Sequence, residues 1–276
     1  MKLNLALCQM HVTADKAVNL RRARQMLDKA AAVGAELAVL PEMFNCPYEN
    51  AAFPVYAEPA EGESWQMLSQ AARENSLYLV GGSVPELAGG KLYNTSYIFD
   101  PQGRELARHR KVHLFDIDVP GGQRFKESDT LAPGDQITLV DTPWGKVGVA
   151  ICFDIRFAEL FRIMGNEGAS LICVPAAFNM TTGPAHWDLT FRMRAIDQQC
   201  FVAGCSPARD ESASYVAYGN SLVADPWGNF PLHMDEKEHV QVVELDLDDL
   251  AKYRSQIPIL SGRRTDLYRT VRAAEK

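Results

Sequence analysis

The chain has 276 residues, enough to bury a sizeable core, and its 47% apolar and 23% charged composition is that of a globular protein. A formal charge of −7 excludes the basic surface that a nucleic-acid or anionic-membrane partner needs, but leaves room for a few cations around a small acidic substrate. No apolar run approaches the roughly 18–20 residues of a membrane-spanning helix, and the opening "MKLNLALCQMHVTADK" does not read as a signal peptide.

In chain order, "LNLALCQ" reads as a strand. Leu20, Ala23, Leu27 and Ala30 then recur at helix spacing before Gly34. "AELAVLPE" is the next strand, and Trp65, Leu68 and Ala72 mark a second helix. "LYLVGGSVPE", "LYNTSYIFD" and the run to Val112 predict antiparallel hairpins, as do "QITLVDTP" and "KVGVAICF" between Gln136 and Phe153. "FAELFRIMGNEG" predicts a helix ended by Gly165 or Gly168, "ASLICVPAAF" a strand, and "PAHWDLTFRMRAIDQQ" a helix opened by Pro184. "CFVAGCSP" and "VQVVELDL" predict further strands. Several strands are apolar almost throughout, as expected where both faces are covered. Alternating strands and helices with added hairpins indicate an α/β chain, and no linker or repeat divides residues 1–276. "HLFDIDVPGGQRFKESDTLAPGD" exceeds ordinary loop lengths and is a candidate functional loop.

The six cysteines, Cys8, Cys46, Cys152, Cys173, Cys200 and Cys205, form no C-x-x-C pair and no disulfide-like spacing. A reducing, cytoplasmic setting without a zinc site is the expectation. Cys152 stands apart, because "VGVAICFDIRF" turns to polar residues directly after it, and α/β folds build their sites at the carboxyl ends of strands. A free thiol is only a few per cent thiolate at neutral pH and needs a base or cation beside it. Two other predicted strands end usefully, in Glu42 of "AELAVLPEMF" and in Arg110-Lys111 of "RELARHRKVHLFD". Taken singly, each residue also fits a plainer role, as a core thiol, a solvated strand end and a basic patch.

The segments "LPEMF", "HRKVHLF" and "VAICFDIRF", in this order, resemble the three signatures of the nitrilase, or carbon–nitrogen hydrolase, superfamily. "YNTS", "LFDIDVPG", "FNMTTGPAHW", "SPARD" and "ADPWG" are similar to its ω-amidase branch. The resemblance runs from about Leu3 to Tyr268. It implies a four-layer α-β-β-α sandwich, one hydrolase domain over 1–276, and a homodimer or higher homo-oligomer joined through helices at 157–168 and 184–199. It also implies Cys152 as nucleophile, Glu42 as base, Lys111 as oxyanion donor together with the Phe153 N–H, and Glu127 as a supporting glutamate. The chemistry so implied is hydrolysis of a small amide through a cysteine thioester, without metal or organic cofactor.

For the substrate, Arg156 fits a clamp on a carboxylate, although a salt bridge with Asp154 or Glu159 is equally open. Tyr48, Phe178 and Thr181 are candidate pocket residues. The two aromatics fit a core equally well, and Thr181 a helix cap. The resemblance implies the 2-oxo acid amides 2-oxoglutaramate and 2-oxosuccinamate as substrates. Deaminated glutathione, a nitrile, and a silent interaction role on the same fold are the alternatives. A Cys-His hydrolase using His11, His113 or His186 is a further one, but no motif pairs these with Cys152.

Overall fold

The strand Lys2–Gln9 is buried at every residue from Leu5 onward, and its side chains divide between two cores. Leu3, Leu5 and Leu7 point one way, Ala6 and Cys8 the other, as the two-residue period of a strand requires. The computed structural model that shows this describes residues 1–273. Around that strand runs a seven-stranded sheet in the order His239–Asp246, Lys2–Gln9, Leu37–Val39, Tyr78–Val80, Lys91–Phe99 and Val84–Ala88, with Glu105–Arg110 also paired to Lys91–Phe99. The second sheet has six strands in the order Leu232–His233, Leu222–Ala224, Phe201–Cys205, Ala169–Pro175, Gly145–Val149 and Thr138–Thr142.

Three apolar layers hold these sheets. Leu5, Leu7, Val39 and Val80 of the first sheet meet Val147, Val149, Leu171 and Ala203 of the second. On the outer face of the first sheet, Ala6, Ala38 and Leu79 pack under helices Lys16–Ala32 and Glu63–Asn75 through Leu20, Ala23, Leu27, Leu68 and Ala72. On the outer face of the second, Ile172, Val174 and Val202 pack under helices Ala158–Asn166 and Gly183–Gln198 through Phe161, Trp187 and Phe191. The result is the expected four-layer α-β-β-α sandwich. It explains why the central strands alternate so little in hydropathy, since each face of each sheet is covered.

The predicted helices form, with Asp15 capping the first by accepting from the Val18 N–H at 3.0 Å. The helix after Cys152 ends at Asn166, with Gly168 in the left-handed region just beyond. Three expectations need correction. "LYLVGGSVPE" is two strands, Tyr78–Val80 and Val84–Ala88, because Gly82 lies at φ +59° and a side chain there would strike the Pro41 carbonyl at 2.3 Å. The long segment after Lys111 contains a small hairpin, Asp116–Asp118 with Arg124–Lys126, followed by a 3₁₀ turn at Glu127–Asp129. A helix at Asp249–Gln256 shows only a weak apolar face and escaped the periodicity reading.

Candidate active site

Three chain segments end side by side. Glu42 follows the strand Leu37–Val39 in a loop stitched to Gly81–Ser83: the Ser83 N–H donates to the Pro41 carbonyl at 3.2 Å, and the Met43 N–H to Ser83 Oγ at 3.0 Å. Lys111 follows Glu105–Arg110. Its N–H donates to the Asn94 carbonyl and its own carbonyl accepts from the Gly134 N–H, both at 2.8 Å. Cys152 follows Gly145–Val149 and opens a 3₁₀ turn, Cys152–Arg156, with its backbone at φ +44°. A non-glycine residue in that region is strained and holds there only because its surroundings over-determine it. As the second residue of the turn, Phe153 presents an N–H that the turn itself does not satisfy.

These side chains lie out of solvent, with Lys111 and Glu127 at 0% exposure, Glu42 at 1% and Cys152 at 3%. The Lys111 ammonium donates to Glu42 Oε1 at 2.9 Å and meets both oxygens of Glu127, Oε1 at 3.0 Å and Oε2 at 2.9 Å. Tyr48 OH donates to Glu127 Oε1 at 2.9 Å and lies 3.2 Å from Lys111 Nζ. The Phe115 N–H donates to Glu127 Oε2 at 2.7 Å, so the 3₁₀ turn after the hairpin delivers this glutamate. Glu42 Oε2 has no hydrogen-bond partner among the described residues.

Burial pushes the Cys152 thiol well above its ordinary range, and the neighbouring Glu42 pushes it further, against the pull of Lys111 and the Ala177 N–H. Burial also raises Glu42; Lys111 opposes that, Glu127 adds to it, and the contact with Cys152 lowers it. Burial thus holds the proton on sulfur and makes Glu42 a stronger proton acceptor than a free carboxylate, the arrangement in which a base can take a proton as sulfur attacks. Lys111 is raised: burial alone would lower it, but Glu127 and Glu42 outweigh that and keep the ammonium charged.

Below the nucleophile lies a cluster that sequence reasoning missed. Asp154, wholly buried, accepts from the Ile151 N–H at 3.0 Å and the His113 N–H at 2.8 Å, and its oxygens lie 3.1 Å from His109 Nε2 and 2.8 Å from His113 Nδ1. It joins the turn carrying Cys152 to the segment carrying Lys111. Burial would raise Asp154, but these contacts, those from His109 and His113 first, hold it well below the usual carboxylate range. His113 is thus engaged with Asp154 and stacked on Phe157 at 3.6 Å, and His186 Nδ1 lies 3.1 Å from Arg156 Nη1. The second candidate glutamate, Glu127, and the expected Glu42 and Lys111 all converge; the histidine alternatives do not.

The substrate candidates divide. Arg156 forms no ion pair with Asp154 or Glu159. Its guanidinium sits over the rings of Phe178 at 5.0 Å and Phe153 at 5.6 Å, and no carboxylate among the described residues lies within 4 Å of it. Phe178 is buried against Trp187. Tyr48 is not simply a pocket wall or a core ring, since its hydroxyl belongs to the charged cluster. Thr181 is exposed and lies against the hairpin tip at Gly122; the following helix is entered through Asn179, whose Oδ1 accepts from the Thr181 and Thr182 N–H groups. Tyr215, which no motif marked, packs 4.6 Å from Tyr48 and donates to the Ala177 carbonyl. A cavity of about 320 Å³ reaches Glu42 between Tyr48, Ala177 and Tyr215.

The family model for carbon-nitrogen hydrolase matches residues 4–255. The chain belongs to the carbon-nitrogen hydrolase family. It is 54% identical over 267 residues to Omega-amidase NIT2-A of Xenopus laevis, covering 97% of both chains. It is 51% identical over 264 residues to Omega-amidase NIT2 of Homo sapiens, covering 96% of both. Among solved structures it is similar to Saccharomyces cerevisiae Nit3, a member of branch 10 of the nitrilase superfamily, with a TM-score of 0.88 and 42% identity over 95% of this hydrolase and 97% of that chain.

Proposed function

We propose that this hydrolase is an ω-amidase that cleaves the terminal amide of short 2-oxo acid amides, 2-oxoglutaramate and 2-oxosuccinamate, to the 2-oxo dicarboxylate and ammonia. The observation that carries the reading is the buried ion pair of Glu42 with Lys111 at 2.9 Å beside the strand-end Cys152, in a chain more than half identical to Omega-amidase NIT2-A over nearly its full length.

Cys152 Sγ attacks the amide carbon while its proton passes to Glu42, and the carbonyl oxygen takes up negative charge facing Lys111 Nζ and the Phe153 N–H. One such donor is typically worth about 2.7–4 kcal/mol. The C–N bond breaks as Glu42 returns the proton to nitrogen, releasing ammonia and leaving a Cys152 thioester. Water then attacks the thioester carbon, giving a proton to Glu42; sulfur departs, takes that proton back, and the acid is freed. Glu127 and Tyr48 hold Lys111 in place. The scheme needs no metal or organic cofactor. Arg156, with no carboxylate partner among the described residues, pairs with the substrate carboxylate, and Phe178 and Thr181 shape the acyl side.

The whole chain acts as one hydrolase domain. No helix among the described residues is long and apolar enough to cross a membrane; six unpaired, buried cysteines fit a reducing cytoplasm. Helix Gly183–Gln198 exposes Leu189 at 67% and Met193 at 47%, which supports a homodimer through this helix and Ala158–Asn166. Ammonia release measured side by side on 2-oxoglutaramate, deaminated glutathione and a simple nitrile tests the assignment: a clear preference for 2-oxoglutaramate supports it, and a preference for either of the others overturns it.

A further inference from the structure

Asn94, in the strand Lys91–Phe99, is 0% exposed and contacts both carboxylates of the cluster and the backbone of Lys111. Its backbone carbonyl accepts the Lys111 N–H at 2.8 Å. Its side-chain nitrogen donates to Glu42 Oε1 at 2.8 Å and lies 3.5 Å from Glu127 Oε1. An amide placed between two carboxylates must present nitrogen to them, because an oxygen there would face only acceptors.

Glu42 Oε1 therefore receives two donors, Lys111 at 2.9 Å and Asn94 at 2.8 Å, while Tyr48 OH, whose one proton goes to Glu127, lies 3.3 Å away. Oε2 receives none among the described residues. Two buried carboxylates also share a single ammonium, and the neutral donors Asn94, Tyr48 and the Phe115 N–H disperse the second negative charge. Lys111 alone leaves the carboxylate free to rotate about its own axis; a second donor from a different strand fixes the plane.

We propose that Asn94 is a positioning residue for the hydrolase reaction: by holding Oε1 of Glu42 it turns Oε2 toward Cys152 as the oxygen that carries the proton. This rests on the reading of Glu42 as the base. The groups that face Glu42 are Lys111, Asn94, Glu127, Tyr48 and Cys152.

The test is the rate of Cys152 alkylation by iodoacetamide, followed by intact mass between pH 4 and 9, in wild type, Glu42→Gln, Asn94→Leu and Asn94→Ser. In wild type the rate has an acidic limb that follows ionisation of Glu42; Glu42→Gln lacks it. Removing a donor to a charged acceptor in Asn94→Leu slows alkylation about 10- to 100-fold at neutral pH and moves the limb to higher pH. Asn94→Ser, too short to reach Glu42, shows the same slowing and the same shift should the leucine variant not fold. A folded Asn94 variant with wild-type rate and limb, beside a slowed Glu42→Gln, overturns the role of Asn94 and leaves the base intact. A Glu42→Gln protein alkylated like wild type overturns the base itself, and the positioning role with it.

Discussion

The ammonium of Lys111 lies 2.9 Å from Glu42 Oε1, and neither side chain reaches solvent. A buried cation between two buried carboxylates serves the fold as well as the chemistry. Lys111→Met lowers kcat by several orders of magnitude by removing the oxyanion donor. It also costs about 3–5 kcal/mol of stability, because two carboxylates remain in an apolar site without their counter-ion. With Lys111 gone, burial and Glu127 push Glu42 upward against only the weaker pull of Cys152 and Asn94. A carboxyl with a folded pKa above its unfolded one binds more protons when folded, so stability falls as pH rises. Urea unfolding of Lys111→Met is therefore expected to show a larger deficit at pH 8 than at pH 5.

Arg156 lies over two aromatic rings with no carboxylate of the described chain in reach. Arg156→Met lowers kcat/KM for 2-oxoglutaramate and 2-oxosuccinamate by about 10²-fold, the scale of a lost hydrogen-bonded charge pair, and much less for a neutral aliphatic amide. Steady-state kinetics on both substrate classes measure the split. Equal losses on both rule out a carboxylate clamp.

Asp154 ties the nucleophile's turn to the lysine's segment through four contacts. Asp154→Asn keeps the shape but removes the charge and at least one acceptor, at an expected cost of about 3–5 kcal/mol at neutral pH. The sign follows from the depressed carboxyl: its stabilisation is present above the unfolded value of 3.8 and is lost as pH falls below it. Wild type should lose stability between pH 4 and pH 2 more steeply than Asp154→Asn. Parallel acid-unfolding curves for the two proteins contradict this role.

Tyr48→Phe keeps the ring packed edge-on to Phe53 and tilted against Phe125 and Tyr215 but removes the hydroxyl shared by Glu127 and Lys111. The expected result is a kcat about 10-fold lower with KM little changed and near-native stability. A KM rise at constant kcat places Tyr48 on the substrate instead.

Glu42, Lys111 and Cys152 were readable because each closes a predicted strand inside a recognisable segment, and the layered sandwich follows from strands that are apolar on both faces. Asn94 and Asp154 also lie in quoted segments, but neither closes a predicted strand. Asn94 sits within a strand and acts only because the register pairs Thr95 with Arg110, bringing Lys111 beside the Asn94 carbonyl. Asp154 suggested a partner for Arg156, yet the turn points its carboxylate inward to His109 and His113 and leaves Arg156 to the aromatics. Side-chain direction in a 3₁₀ turn and pairing across a sheet are tertiary facts that local periodicity does not encode. Glu127 needed the resemblance, since a loop carboxylate is solvated by default, and here a hairpin carries it into the core.

The central claim is that Cys152 carries the acyl group. The most direct measurement is intact-mass analysis of the protein quenched during turnover of 2-oxoglutaramate, with peptide mapping of any adduct. An acyl adduct on Cys152 is expected in wild type, and in Cys152→Ala a folded protein with neither adduct nor ammonia release. An adduct on another residue, or ammonia release by Cys152→Ala near the wild-type rate, contradicts it.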